Sequence, residues 1–181
     1  MTHLMLDLET YSAKSNAVIV QIGATAFDPQ TGKIQSEFKL NVDPQSCVDA
    51  GLHLDTGTID WWLKQSKEAQ ASITDDSDRK SISKALEMYS NWVKGVMPYR
   101  GARVWCHATF DFVILNNAFQ ATGIKPPYSH TAARDLRTIV DLAKVNYYNK
   151  PRKGTYHDAL DDCKFQVEYL MDCFKNLKLN E

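Results

Sequence analysis

Three strand-like stretches in unbroken succession occupy the first 42 residues, and no other feature narrows the fold as much. Residues 2–8 are short and mostly apolar. Residues 18–27 (VIVQIGATAF) are β-branched and long enough for a central strand. The turn cluster DPQTG at 28–32 leads into residues 33–42, an alternating run with Ile34, Phe38 and Leu40 on one side. That pattern pairs the third strand back on the second as a hairpin.

Helical periodicity takes over afterwards. Residues 58–65 carry Ile59, Trp62 and Leu63 at helical spacing behind an N-cap at Thr58. The polar stretch 75–83 reads as a loop. Residues 83–96 hold Ala85, Leu86, Tyr89, Trp92, Val93 and Val96 with a 3.6-residue period. Residues 103–107 (RVWCH) form a short buried strand. Residues 110–121 are helical and stop at Thr122-Gly123, and Pro126-Pro127 breaks the chain. Residues 136–145 and about 158–177 make the last two helices, separated by a loop at 146–156. The order is β-β-β-α-α-β-α-α-α, with room for one more short strand near 132–135. It predicts an α/β fold, in which a mixed sheet of antiparallel and then parallel strands is flanked by helices. No repeat, low-complexity segment or linker interrupts the pattern, so residues 1–181 read as one domain.

A chain of 181 residues buries a sizeable core without disulfides or a structural metal. Its formal charge of −1 excludes coating nucleic acid through bulk charge. Contact with a polyanion would need a local cationic patch or bound metal ions. Cys47, Cys106, Cys163 and Cys173 form no C-x-x-C pair and have no His at zinc spacing, so they read as free thiols in a reducing compartment. The N-terminus carries no basic segment followed by an apolar one, and no run approaches 18 apolar residues. The expectation is a soluble cytoplasmic protein that makes no membrane contact. Trp61, Trp62, Trp92 and Trp105 are expected in the core. His3, His53 and His130 have no constellation around them, and His107 reads as a packed strand-end residue or a neighbour of the acidic group described next.

The chemistry lies in the carboxylates. Asp7 and Glu9, at i and i+2 of the first strand, project from one face while Leu8 enters the core. Two adjacent carboxylates repel, and a divalent cation with a taste for oxygen removes that cost. Asp111 follows Phe110 just after the strand RVWCH, at the strand end where α/β sheets place their sites. In the last helix, Leu160, Cys163, Val167, Leu170 and Phe174 define the core stripe. Asp162 flanks that stripe and is the better ligand candidate. Asp158 and Asp161 favour the helix N-terminus. His157 sits just before the helix, in a loop from which it can titrate near neutral pH.

These pieces, in this order, resemble the DEDD superfamily of 3′–5′ exonucleases, which includes proofreading exonuclease domains and RNase T. D-x-E at Asp7 and Glu9, Phe110-Asp111, and H-x-A-x-x-D at His157, Ala159 and Asp162 carry the resemblance. Asp158 stands where the tyrosine variant needs Tyr, so the chain resembles the histidine subclass, DEDDh. LDLETYS, VWCHATFDFVIL and AARDLRTIVDLA are similar to a short bacterial and phage group of exodeoxyribonuclease VIII-like and exoribonuclease-like proteins.

The resemblance implies an RNase H-like fold. It also implies two divalent cations, Mg²⁺ or Mn²⁺, held about 3.5–4 Å apart by Asp7, Glu9, Asp111 and Asp162. One ion would activate a water and the other would stabilise the leaving 3′ oxygen. His157 would be the general base, and the product a nucleoside 5′-monophosphate. Leu8 and Thr10 fall where the family packs the terminal nucleotide. Lys150, Arg152 and Lys153, interleaved with Tyr147, Tyr148 and Tyr156, suit a flexible single strand or read equally as a solvated loop. Arg134 and Arg137 are open between phosphate contacts and surface salt bridges.

The expected partner is single-stranded nucleic acid or a 3′ overhang, and the reading admits a homo-oligomer. Exonuclease action on DNA, the same chemistry on RNA, and a non-catalytic nucleic-acid-binding module are the competing functions.

Overall fold

In a computed structural model, residues 2–179 are described. The chain runs β1 (His3–Thr10), β2 (Ile19–Phe27), β3 (Ile34–Asn41), α1 (Pro44–Asp49), α2 (Thr56–Trp62), α3 (Lys67–Thr74) and α4 (Ile82–Val96). It continues with β4 (Val104–Cys106), α5 (Asp111–Thr122), β5 (Ala133–Asp135), α6 (Leu136–Ala143) and α7 (Ala159–Asn176). The strands form one sheet in the order β3-β2-β1-β4-β5. β1 pairs antiparallel with β2, and β2 with β3, while β4 and β5 run parallel to β1. This is the mixed sheet anticipated from the order of elements, with the short fifth strand present.

Alternation along β1 divides the core. Leu4, Leu6 and Leu8 enter the larger apolar cluster, together with Leu86, Tyr89 and Val93 of α4 and Ile114, Leu115 and Phe119 of α5. Met5 enters the second cluster, with Leu136 and Ile139 of α6 and Cys163, Val167 and Leu170 of α7. Period-two geometry therefore sends Asp7 and Glu9 to the α7 side of the sheet and Leu8 to the other.

Several boundaries differ from expectation. β1 runs on to Thr10, so the D-x-E lies inside the strand instead of at its end. α2 begins at Thr56 because Asp55, not Thr58, is its cap: the Asp55 side chain accepts from the Thr58 amide at 2.8 Å. α1 and α3 were not anticipated. They hold six and eight residues, too few for a period to declare itself, and are started by the caps Asp43 and Ser66. α6 stops at Ala143 because Lys144 takes a left-handed conformation. Trp61 is not core: it is 43% exposed, whereas Trp62 and Trp105 are buried. Leu160 is only half-buried, and Ala159, Gln166, Tyr169 and Cys173 widen the buried face of α7. The four cysteines are free and buried. No helix among the described residues is long and apolar enough to cross a membrane.

Candidate active site

β1 and β4 are parallel neighbours, so their carboxyl ends lie side by side. Asp111, the first residue of α5, follows β4 by a short turn and is 1% exposed. Both of its oxygens are occupied by backbone: Oδ1 accepts from the Leu8 amide at 3.2 Å and Oδ2 from the His107 amide at 2.9 Å. Asp111 thereby ties β1 to the β4–α5 turn and holds itself beside Asp7.

α7 brings the fourth carboxylate. Its N-terminus docks on β2, where the Ala159 amide donates to Gln21 Oε1 at 2.7 Å. The cap Asp158 accepts from the amides of Leu160 and Asp161 and pairs with Lys39. Gly23 permits this approach, since a Cβ there would stand 2.3–2.6 Å from the backbone of Ala159 and Leu160. One turn past Asp162, Gln166 Nε2 donates to Asp7 Oδ1 at 2.7 Å.

Asp7, Leu8, Glu9, Asp111, Arg152, His157, Asp162 and Gln166 line one open cleft of about 340 Å³. Within it, ligand atoms of Asp7, His107 and Asp111 lie inside 4.8 Å of one another, as do those of Glu9, His157 and Asp162. Asp161 is turned away to accept from the Thr155 amide at 2.8 Å. His157 has a left-handed backbone, φ 61°, which a non-glycine residue adopts only where its surroundings hold it. Its ring packs edge-on against Trp61 at 4.9 Å and Trp62 at 5.8 Å.

Burial governs the charges. It pushes Asp7 up to about 7, against a hydrogen bond from Gln166 and the charge of Arg152. Glu9 and Asp111 are driven well above the carboxylate range by burial and then by the charge of Asp7, to which Asp111 adds at Glu9. Burial, then Arg152, lowers His157, so its imidazole is neutral at pH 7 and free to accept a proton. Arg152 sets its guanidinium against the acidic group: it pairs with Asp162, donates to the Thr155 carbonyl at 2.9 Å and lies over the Tyr156 ring at 4.1 Å, while Arg137 also lines the cleft. Arg152 Nε and Gln166 Oε1 are buried without a partner. Carboxylates that burial and mutual repulsion make costly to ionise fit divalent cations, which favour their ionised forms.

The expected site residues divide. Asp7, Glu9, Asp111, His157, Asp162, Leu8 and Arg152 come together. Thr10 does not line the cleft: its hydroxyl donates to the Ser12 carbonyl at 2.7 Å, and its own carbonyl accepts from Trp62 Nε1. Lys150 is paired with Asp172 at 2.6 Å, and Lys153 lines a separate depression with Asp161 and Lys164. Arg134 folds onto the carbonyls of Thr131 and Ala133. Gln166 and Trp61 were missed. The signal for Gln166 was present, because a polar side chain sits on the buried stripe four residues after Asp162.

The family model described as the 3′-5′ exoribonuclease Rv2179c-like domain matches residues 2–174. The chain belongs to this family. The Rv2179c-like domain is 26% identical over 210 aligned positions to an exodeoxyribonuclease of Enterobacteria phage T4, covering 94% of this chain and 91% of the relative. Its fold is similar to the nuclease domain of 3′hExo, a DEDDh family member bound to rAMP. That likeness has TM-score 0.67 and 16% identity, over 96% of this chain and 92% of the other. It is also similar to E. coli Exonuclease I in complex with a dT13 oligonucleotide, with TM-score 0.70 and 13% identity. This match covers 98% of the Rv2179c-like domain and 42% of Exonuclease I. The domain is thus a 3′–5′ exonuclease by family, on the RNase H-like fold that it shares with the DEDDh nuclease domain.

Proposed function

We propose that this exonuclease removes nucleotides singly from the 3′ end of single-stranded DNA and releases nucleoside 5′-monophosphates. Asp7, Glu9, Asp111 and Asp162 hold two divalent cations, Mg²⁺ or Mn²⁺, and His157 is the general base. The observation that carries this reading is the convergence of four carboxylates and one neutral imidazole on a single cleft, from positions 155 residues apart in the chain. When bound, the cations supply charge stabilisation at the scissile phosphate and lower the pKa of water. The chain's own groups do the rest. His157, beside Glu9 and Asp162, takes the proton of the attacking water. Asp111, fixed by two amides, keeps the β1 and β4 ends in register, and Gln166 orients Asp7. Leu8 lines the floor beneath the terminal nucleotide, and Arg152 meets phosphate once it leaves Asp162. Residues 1–181 act as one catalytic domain, placed in the cytoplasm.

The near full-length likeness to the phage exodeoxyribonuclease supports DNA. The description of the matching family supports RNA as the second reading. Digestion of matched 5′-labelled DNA and RNA octamers, with Mg²⁺ or Mn²⁺ and with EDTA, separates them. The expected result is a ladder shortening from the 3′ end, mononucleotide product, faster loss of DNA, and no reaction in EDTA. Faster loss of RNA selects the second reading. Binding without product release would make the chain a non-catalytic module.

A further inference from the structure

We propose that the groove lined by Arg137, Tyr147 and Tyr148 is a second nucleotide subsite, holding a base of a single strand upstream of the residue being removed. It rests on the reading of the carboxylate cleft as the place of 3′-end attack. The groove, about 450 Å³, is continuous with that cleft, and His107, Arg137, Tyr147 and Tyr169 line both. Its volume lies within the range of sites that take one small ligand.

Three rings build its wall. Tyr169, buried on α7, stacks on Tyr147 at 4.5 Å and 17°, and Tyr147 stacks on Tyr148 at 4.6 Å and 26°. The ladder therefore runs from the core to solvent and ends on Tyr148, which is 84% exposed. An exposed aromatic ring alone is ordinary surface. A ring held in a near-parallel stack on a buried neighbour is instead a fixed platform, and a nucleobase continues such a stack with little ordering cost. Exposed Arg137 on α6 supplies a cation at the junction between groove and cleft, where the connecting phosphate passes. Asp141 lines the same groove, so its fixed charges cancel. Stacking, not bulk attraction, is the main source of affinity there.

The test is fluorescence polarisation of a labelled octathymidylate in EDTA, where no turnover consumes the probe, with competition by thymidine 5′-monophosphate. Tyr148→Ala is expected to weaken the octamer about five-fold or more. Tyr148→Trp restores the affinity, Arg137→Gln weakens the octamer, and the mononucleotide binds wild type and both Tyr148 variants equally. Circular dichroism confirms that the exposed substitutions leave the fold intact. Equal octamer affinity in wild type and Tyr148→Ala, equal loss for octamer and mononucleotide, or no octamer binding by wild type each overturns the subsite. A wild-type chain that shows the Tyr148 dependence but releases no mononucleotide with Mg²⁺ keeps the strand-binding groove and refutes the cleavage reading alone.

Discussion

The guanidinium of Arg152 rests on the carboxylate of Asp162, so a cation of the chain's own already stands in the cleft where metal would bind. Both side chains are largely buried. The pair screens four acidic groups that would otherwise repel one another, and it occupies an oxygen that metal coordination needs. Arg152→Ala is therefore expected to lower the stability of the metal-free protein by about 1.5–3 kcal/mol, the worth of a hydrogen bond to a charged group. The same change tightens Mn²⁺ binding. Calorimetric titration with Mn²⁺ and thermal melting in EDTA read the two effects, and weaker Mn²⁺ binding in the variant would make Arg152 an aid to metal capture instead of a stand-in.

His157 is held by its neighbours more than by its own preference, with a left-handed backbone and two tryptophan rings against it. His157→Ala should leave Mn²⁺ binding measurable while turnover falls by about 10²–10⁴-fold, the usual contribution of a positioned base. Normal turnover in that variant would remove the base assignment and leave the carboxylate site standing.

Buried carboxylates and buried histidines make stability depend on pH in opposite directions. Burial holds His3 and His107 down to about 4, so their contribution is lost as pH falls below about 6.5. Asp7, raised to about 7, and Glu9 and Asp111, raised well above their ordinary values, bind more protons folded than unfolded. Their contribution is greatest at low pH and is lost as pH rises through the folded values. Between about pH 6.5 and 8 the unfolded histidines lose the last of their protons, and the three carboxylates outweigh that opposing change. The melting temperature in EDTA should fall across that window, and saturating Mg²⁺ or Mn²⁺ should flatten the slope by favouring the ionised forms. A melting temperature constant from pH 6.5 to 8 in EDTA would contradict the burial of this acidic group.

Gly23, paired with Asp7 across β1 and β2, controls the site from the same face of the sheet. Gly23→Ala drives a methyl into the backbone at Ala159 and Leu160, which cannot yield like a flexible side chain. A loss of about 1–3 kcal/mol is expected, as for other overpacking changes. Turnover should fall as well, because the N-terminus of α7 carries Asp162 and Gln166 toward Asp7. Urea melts and steady-state rates on one preparation check both. Full activity at reduced stability would show that α7 can shift without moving the carboxylates.

The order of the strands along the chain and the acidic candidates were legible because they depend on local rules. Apolar and β-branched runs marked β1 and β2, alternation marked β3, a 3.6-residue period marked α4 and α7, the Thr122-Gly123 stop marked the end of α5, and the helical wheel separated Asp162 from Asp161. α1 and α3 were hidden because helices of six and eight residues, started by Asp43 and Ser66, leave too few apolar positions to count. Trp61 misled because size and apolarity describe a side chain, not whether a neighbour covers it.

What the chain's order of residues determined by itself was all the elements but α1 and α3, and the faces on which Asp7, Glu9, Asp111 and Asp162 stand. Only the tertiary structure decided that those faces meet, that Thr10, Lys150 and Lys153 stay outside the cleft, and that Arg152, Gln166 and the Tyr147–Tyr148 ladder lie at it. The physical reason is that periodicity fixes direction within one element. Meeting instead requires the parallel pairing of β1 with β4 and the close seat of α7 over Gly23, contacts made between residues a hundred positions or more apart.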